Sequence, residues 1–219
     1  MDPNPIPILR RKIAASQTRR AELQLPVESM SEALAGVVAS YFSLKLKPPP
    51  LSARVADPQR LALGAGERVW YLFHAGAADI IVSLDFVLTI AATNMAIGRK
   101  FSEAEEAKPS LADRAIAAGF AQRAAAAIAS VKALPDSAPA FVQSSWSFSD
   151  IKIDRGGARF EWYEAVDIAL TDSLKVTFAG GVSVDSAHSG GALLAGGNPW
   201  EARLFEIAME AGVRLDANL

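Results

Sequence analysis

The chain has 219 residues, no cysteine, and 22 basic residues against 24 acidic ones, which gives a formal net charge of −2. The absence of cysteine excludes a disulfide framework, thiolate zinc sites and a cysteine nucleophile. The near balance of charge gives the chain no general attraction to nucleic acid. Hydrophobic residues make up 51% of the sequence, so we expect a globular core that needs no disulfide, metal or cofactor.

Residues 1–26 are predicted to form a flexible basic arm, with a partner-binding peptide as the alternative. The arm carries several basic residues and one acid: Arg10, Arg11, Lys12, Arg19 and Arg20 against Asp2. Prolines at positions 3, 5 and 7 precede these charges and no long apolar run follows, which is not typical of a signal peptide. Later apolar stretches are too short to cross a membrane. We therefore expect a cytoplasmic protein that does not insert into membranes.

The first helix is predicted over residues 29–42. Ser29 and Glu32 have the spacing of a capping box, in which each side chain satisfies the other residue's free backbone amide. The apolar residues that follow fall on one helical face, and they are Leu34, Val37, Val38, Tyr41 and Phe42. The three prolines at 48–50 predict a stiff, extended connection after this helix.

A strand pair and a second helix are predicted next. The strands span residues 68–75 and 79–84, with a turn at Gly76. The helix begins near Asp85 or two residues earlier, and Gly98 is placed to end it in a left-handed conformation. The residues expected to form its apolar faces are Phe86, Val87, Ile90, Met95 and Ile97.

A long alanine-rich helix is predicted over residues 110–134. Pro109 precedes it and Pro135 stops it. Its apolar residues recur at helical spacing, and they are Ile116, Phe120, Ile128, Val131 and Leu134. Upstream of Pro109, Ser102 and Glu105 have the spacing of a second capping box.

Three strands are predicted from alternating polar and apolar residues over 145–154, 158–170 and 174–184. Turn-forming residues at 155–157 and 171–173 join them, which predicts an antiparallel meander covered on one side. In the second strand, the residues expected to share one face are Phe160, Trp162, Val166 and Ile168. In the third strand, they are Leu174, Val176, Phe178, Val182 and Val184.

These elements together define the expected domain organisation. Helices and antiparallel strands come in blocks, which predicts an α+β fold made of an antiparallel sheet with packed helices. The folded domain is expected to span residues 27–184. Residues 185–198 are expected to be a flexible Gly/Ser loop, and residues 199–219 a C-terminal docking helix.

No combination of residues in the sequence predicts an enzyme or a metal site. His74 lies in a predicted strand and His188 in the Gly/Ser loop, and their spacing does not suit a shared metal. Neither a nucleophile elbow nor a phosphate-binding loop is present. Glu161, Glu164 and Asp167 are expected to form a solvated face of a strand. We therefore expect a protein that binds other proteins rather than a catalyst.

Residues 97–105 read Ile-Gly-Arg-Lys-Phe-Ser-Glu-Ala-Glu between a glycine-terminated helix and a long helix. This arrangement resembles the middle domain of the flagellar motor-switch protein FliM, within the CheC/FliM-like family. The resemblance implies a non-enzymatic scaffold in the switch ring, peripheral at the cytoplasmic face of the flagellar base. It also implies partners of FliG or FliN type, self-association, and a partner contact at Gly98, Arg99 and Lys100.

Two alternatives to a FliM-type scaffold stay open. The corresponding component of type III secretion rings is one, because no FliN-like domain follows in this sequence and residues 1–26 hold no recognisable response-regulator peptide. A CheC-like phosphatase relative is the other, and that activity needs Asp or Ser, then Glu, then Asn at helical spacing. Ser102 and Glu106 suit the first two positions, but Pro109 replaces the Asn, and Asn94 in the other helix has no Glu partner. The resemblance therefore implies no phosphatase activity.

Overall fold

The computed structural model describes residues 25–56, 61, 67–104, 107–134, 138–153 and 159–184. Its helices in these ranges are α1 (Val27–Phe42), α2 (Phe86–Ala96) and α3 (Leu111–Val131). Its strands are β1 (Leu51–Ala56), β2 (Arg68–Ala75), β3 (Ala78–Asp85), β4 (Ala140–Ser145), β5 (Arg159–Ala169) and β6 (Lys175–Val184). The predicted Gly/Ser loop, C-terminal helix and almost all of the basic arm lie outside the described residues.

The six strands form one sheet in the order β1-β5-β6-β3-β2-β4. The pairs β1–β5, β2–β3, β2–β4 and β3–β6 are all antiparallel. Helix α3 packs against β2 and β3, and it also contacts α1 and α2. This confirms the predicted α+β class, with helices packed on an antiparallel sheet.

The predicted meander is wrong in its first strand. Residues 146–153 do not form a strand: β4 ends at Ser145, and a short 3-10 helix, Phe148–Asp150, follows. The Ser145 hydroxyl donates to the Asp150 carboxylate at 2.9 Å and so holds this bend. Strand β4 pairs with β2, so β2 and β3 lie between it and β6, and β5 is one strand further away.

The sheet is covered on both faces, which corrects the expectation of one covered side. The helix-side core contains large buried residues such as Tyr71, Phe120 and Phe178. A second core on the opposite face includes Trp70 and Trp162, whose rings stack with centroids 5.8 Å apart. Residues from the bend after β4 complete this second core, and they are Phe148 and Ile151. The apolar residues of this segment alternate with polar ones because they are buried in the second core, not because the segment is a strand.

A change of backbone conformation at Asp167 explains why the predicted face of β5 is wrong. Asp167 has a φ of +55°, which interrupts the regular alternation of a strand. Before it, Phe160 and Trp162 lie in the second core, and beyond it Ile168 lies in the helix-side core. Val166, expected on the same face, is 53% exposed.

Strand β6 follows its predicted pattern in the helix-side core. Val176, Phe178 and Val182 are buried there, and Leu174 packs against them from the turn before the strand. Alternate residues of a strand face the same side, which is why these positions share a core.

Neither of the two predicted capping boxes lies at the start of an α-helix. Helix α1 begins at Val27 after Pro26, with no side-chain cap, so Ser29 lies inside the helix. Around Ser102 the chain forms only a short 3-10 helix, Phe101–Glu103. A capping box does occur at α3, where Ser110 and Asp113 cap each other's backbone amides.

One carboxylate connects β3, α2 and β6. Asp85 ends β3 and caps α2, because its Oδ1 accepts from the backbone N–H of Leu88 at 2.6 Å. Its Oδ2 accepts from the backbone N–H of Thr177 in β6. Burial raises the pKa of the Asp85 carboxyl, while these two hydrogen bonds and the positive charge of Arg68 oppose the rise. Asp85 therefore fixes where α2 starts relative to the sheet.

Two adjacent glycines in β6 allow close packing on both faces of the sheet. A Cβ at Gly180 would lie 2.5 Å from Cδ1 of Ile128, so α3 sits directly on this position. A Cβ at Gly181 would lie 2.8 Å from the backbone oxygen of Glu161 and 2.7 Å from the ring of Trp162. The first obstacle is the mobile end of a side chain, whereas the second is backbone.

We expect Gly181→Ala to lower the free energy of unfolding by about 1–3 kcal/mol, because the added methyl group meets backbone that cannot move aside. Gly180→Ala is the matched control in the same strand, with a loss below about 1 kcal/mol because Ile128 can shift. Urea unfolding measures both. Equal losses for the two variants would contradict this account of the packing.

We expect Asp85→Ala to lower the free energy of unfolding by about 2–3 kcal/mol, since it leaves two backbone N–H groups without their acceptor. Asp113→Ala removes a carboxylate from an exposed capping box, with an expected loss of about 0.5–1 kcal/mol. Thermal or urea unfolding compares the two. A smaller loss for Asp85→Ala than for Asp113→Ala would show that Asp85 does not hold the elements together.

Candidate partner-binding surface

The segment after α2 is a well-defined helix end rather than a loose loop. Gly98 has a φ of +76°, as the sequence predicts. Its N–H donates to the Met95 carbonyl at 3.2 Å, and the Arg99 N–H donates to the Asn94 carbonyl at 2.8 Å. These two bonds form a Schellman motif, which satisfies helix carbonyls that would otherwise lack partners.

This helix end presents a small surface that we call the Gly98 turn, consisting of Ile97, Gly98, Arg99 and Lys100. Gly98, Arg99 and Lys100 are exposed, and Ile97 is 50% exposed. Among the residues that the structure describes, neither cation takes part in a salt bridge. The turn therefore offers two exposed positive charges beside an apolar side chain.

Both sides of the Gly98 turn are anchored in the protein. On one side the Arg99 backbone is bonded to α2. On the other side Phe101 packs edge-on against the buried ring of Phe42, with centroids 5.3 Å apart. A surface held at both ends loses little conformational freedom when a partner binds.

The structure brings the three predicted partner-binding residues, Gly98, Arg99 and Lys100, together as neighbours on one exposed turn. Their part in binding stays a prediction. Ile97 was expected on an apolar helix face, yet it is the C-cap residue of α2 and half of its side chain is exposed. The exposure of Ile97 depends on where α2 ends, and helix ends are the least certain part of a pattern-based prediction.

The candidate phosphatase residues do not form a surface site in the described part of the chain. Asn94 is 9% exposed and lies on the buried side of α2. Ser102 is exposed within the 3-10 helix, and Glu106 lies outside the described residues. No three His, Asp or Glu side chains come together as metal ligands among the described residues.

The polar groups singled out in the strands have structural contacts. His74 Nδ1 lies 2.7 Å from Oδ1 of Asp79, so this histidine pairs with its neighbour across the hairpin. Glu161 pairs with Lys132 of the segment that follows α3 at 2.6 Å, and Glu164 pairs with Arg68 of β2. The expectation of a purely solvated acidic face is therefore wrong for Glu161 and Glu164.

No helix within the described residues is long and apolar enough to cross a membrane.

We expect Gly98→Ala to lower the free energy of unfolding by about 1 kcal/mol, because alanine disfavours a φ of +76°. An added Cβ at Gly98 meets nothing within 4 Å, so the cost is purely conformational. Gly36→Ala in α1 is the matched control, since its Cβ also meets nothing but its backbone is helical. The control should gain about 0.5–1 kcal/mol. Chemical unfolding of both variants checks the prediction, and a stabilised Gly98→Ala would contradict it.

Comparison with known proteins gives a likeness of structure only. No family model and no curated protein matches the sequence. A chain of the crystal structure of the FliG–FliM complex from H. pylori is similar, with a TM-score of 0.55 and 11% identity, covering 80% of this chain and 96% of that one. The FliM–SpeE complex from H. pylori gives a TM-score of 0.50 and 8% identity over 77% of this chain and 87% of the other.

The chemotaxis protein CheX from Vibrio vulnificus gives a TM-score of 0.44 and 14% identity, covering 72% of this chain and 97% of its own. With so low a TM-score, this likeness supports no further conclusion about the chain. The two FliM matches do settle the architecture that the sequence predicts. This chain has the CheC/FliM-like α+β fold.

Proposed function

We propose that this protein is a non-enzymatic scaffold of a flagellar motor-switch ring, and that it binds a neighbouring ring protein through the Gly98 turn. The single observation that carries the proposal is the exposed, doubly anchored turn on a FliM-like fold, with Ile97 beside two exposed cations. Such a surface suits a partner with an apolar pocket and acidic residues at its edge.

The solved complexes support a proposal for the class of partner. FliM from H. pylori is crystallised with FliG in one structure and with SpeE in another. We propose that the present chain binds a FliG-type protein at the Gly98 turn, with FliN-type proteins and further copies of itself as other neighbours. This role would place it in the cytoplasm, peripheral to the flagellar base.

A scaffold role is also better supported than a phosphatase role by the state of Asn94. A phosphatase of this fold class needs an exposed acid and amide to orient water against an aspartyl phosphate. Asn94, the candidate amide, is only 9% exposed and lies on the buried side of α2. We propose on this ground that the chain is not an enzyme.

The test is binding of the full chain to purified FliG-type and FliN-type proteins, measured by isothermal titration calorimetry. We expect binding to the FliG-type protein, and at least about a tenfold loss of affinity for the double variant Arg99→Glu, Lys100→Glu. The loss is expected because both reversals turn attraction to an acidic rim into repulsion.

The matched control is the double variant Arg54→Glu, Lys175→Glu, which changes the net charge equally at exposed positions in β1 and β6. It should bind as the unaltered protein does. Equal weakening of both double variants would contradict a specific role for the Gly98 turn. Binding to a secretion-ring protein but to neither flagellar protein would contradict the flagellar assignment and favour the type III secretion alternative.

A further inference from the structure

A second surface is concave. An open groove lies between α3 and β4 and has a volume of about 530 Å³. Its floor on α3 is made of small residues, Ala115, Ala118 and Gly119. Leu111 and Phe141 form its apolar walls and are 68% and 50% exposed. We call this feature the α3–β4 groove, and none of its lining residues belongs to the Gly98 turn.

Strand β4 leaves one side of the groove open to backbone pairing. Among the residues that the structure describes, it is the last strand of the sheet and pairs only with β2. The outer backbone N–H and C=O groups of an edge strand are available to another strand. The groove width is fixed because the Gln122 side-chain amide donates to the Pro139 carbonyl just before β4. An edge strand beside a helix is the geometry in which peptides add to a sheet as an extra strand.

The charge at one end of the groove favours an acidic occupant. The Arg114 guanidinium lies 5.0 Å from the ring centre of Trp146, and the Lys108 ammonium lies 5.8 Å from it. Neither cation forms a salt bridge with any carboxylate in the described ranges. Asp113, next to Arg114 in sequence, is instead bonded to Ser110. The groove therefore has one lining cation, Arg114, and a second cation, Lys108, lies against the same tryptophan ring.

We propose that the α3–β4 groove binds an extended, acidic segment of a partner protein, which pairs with β4 as a seventh strand. Alternate side chains of such a segment face the same side, so two apolar residues and one carboxylate fill the groove and reach Arg114. The paired stretch matches β4, which is six residues long. Backbone bonds supply affinity, while the small floor and the cations supply selectivity.

This inference does not depend on the Gly98 turn or on the flagellar assignment. A chain that failed to bind any FliG-type protein would still carry the groove, the free edge and the two cations. The variants that test the groove leave Arg99 and Lys100 unchanged, so the two proposals fail separately.

The probes are three fluorescently labelled hexapeptides. In each, one apolar residue type (Val, Leu or Phe) alternates with Thr, and a Glu takes the last position on the apolar face. Each has an analogue with Lys in place of Glu and one with N-methylated backbone amides. Fluorescence anisotropy with the full chain should show saturable binding of at least one acidic peptide. Its Lys analogue should bind at least about tenfold more weakly, and N-methylation should abolish binding.

Variants of the protein make the assignment specific. Arg114→Glu should reverse the preference from the Glu peptide to the Lys peptide. Gly119→Leu should fill the floor and abolish binding of both. Gly36→Leu is the matched control, an exposed helical glycine with equally open space, and should bind normally. Thermal unfolding establishes that each variant is folded.

Several results would overturn the proposal. One is the absence of binding for all three acidic peptides, and another is equal affinity for the Glu and Lys forms. A third is normal binding by folded Gly119→Leu. Dimerisation of the unaltered chain that Gly119→Leu prevents would also overturn it, because a second copy would then be the occupant.

Discussion

The structure depends on the position of one carboxylate at the end of β3. Asp85 accepts backbone hydrogen bonds from the first turn of α2 and from β6, so it holds a helix and a neighbouring strand in a fixed relation. No other described acidic side chain accepts from the backbone of both a helix and a strand. Because α2 starts at a fixed point and has a fixed length, its C-terminal turn is also fixed. Together with the Schellman motif and the Phe101–Phe42 contact, Asp85 therefore helps to place the exposed cations beyond Gly98.

Small residues have a similar influence on the other surface. Buried alanines in α3 and Gly180 in β6 let the helix approach the sheet closely, and four of those alanines are fully buried: Ala117, Ala121, Ala124 and Ala125. The outer side of the same helix also carries small residues, Ala115, Ala118 and Gly119, which leave the groove beside β4. The small residues of α3 therefore allow close packing on one side of the helix and leave an open surface on the other.

The sequence predicted best the elements whose pattern is local and buried. Strand β2 has its predicted bounds, and Gly98 adopts its predicted left-handed conformation, because burial and helix termination leave direct marks in the sequence. The edge strands β1 and β4 were missed or displaced. They are short and mostly exposed, so their residues lack the alternation that marks a half-buried strand.

Other features required the folded chain. The positive φ of Asp167 moves the later residues of β5 to the opposite face of the sheet. The sequence does not reveal this change, because an aspartate is also an ordinary residue at the polar positions of an alternating strand. The second core depends on contacts between Trp70 and Phe148, which are far apart in sequence. For the candidate site, the sequence identified the three residues of the turn but not the exposure of Ile97. The α3–β4 groove joins a helix and an edge strand that only the sheet order brings together.

We propose that this protein acts through two surfaces, the Gly98 turn and the α3–β4 groove, rather than through a reactive centre. The described histidine and the two strand glutamates pair with other side chains, whereas the cations at the Gly98 turn and at the groove have no carboxylate partner within the described residues. Unpaired charge beside exposed apolar side chains is a property of binding surfaces. The fold supplies rigid elements on which both surfaces are held.

Hydrogen–deuterium exchange of the full chain, alone and with a FliG-type protein, tests the central claim most directly. The account predicts slower exchange of backbone amides in residues 97–104 when the partner is present, since binding covers the Gly98 turn. Unchanged exchange in that segment, with slower exchange elsewhere in the chain, would contradict it.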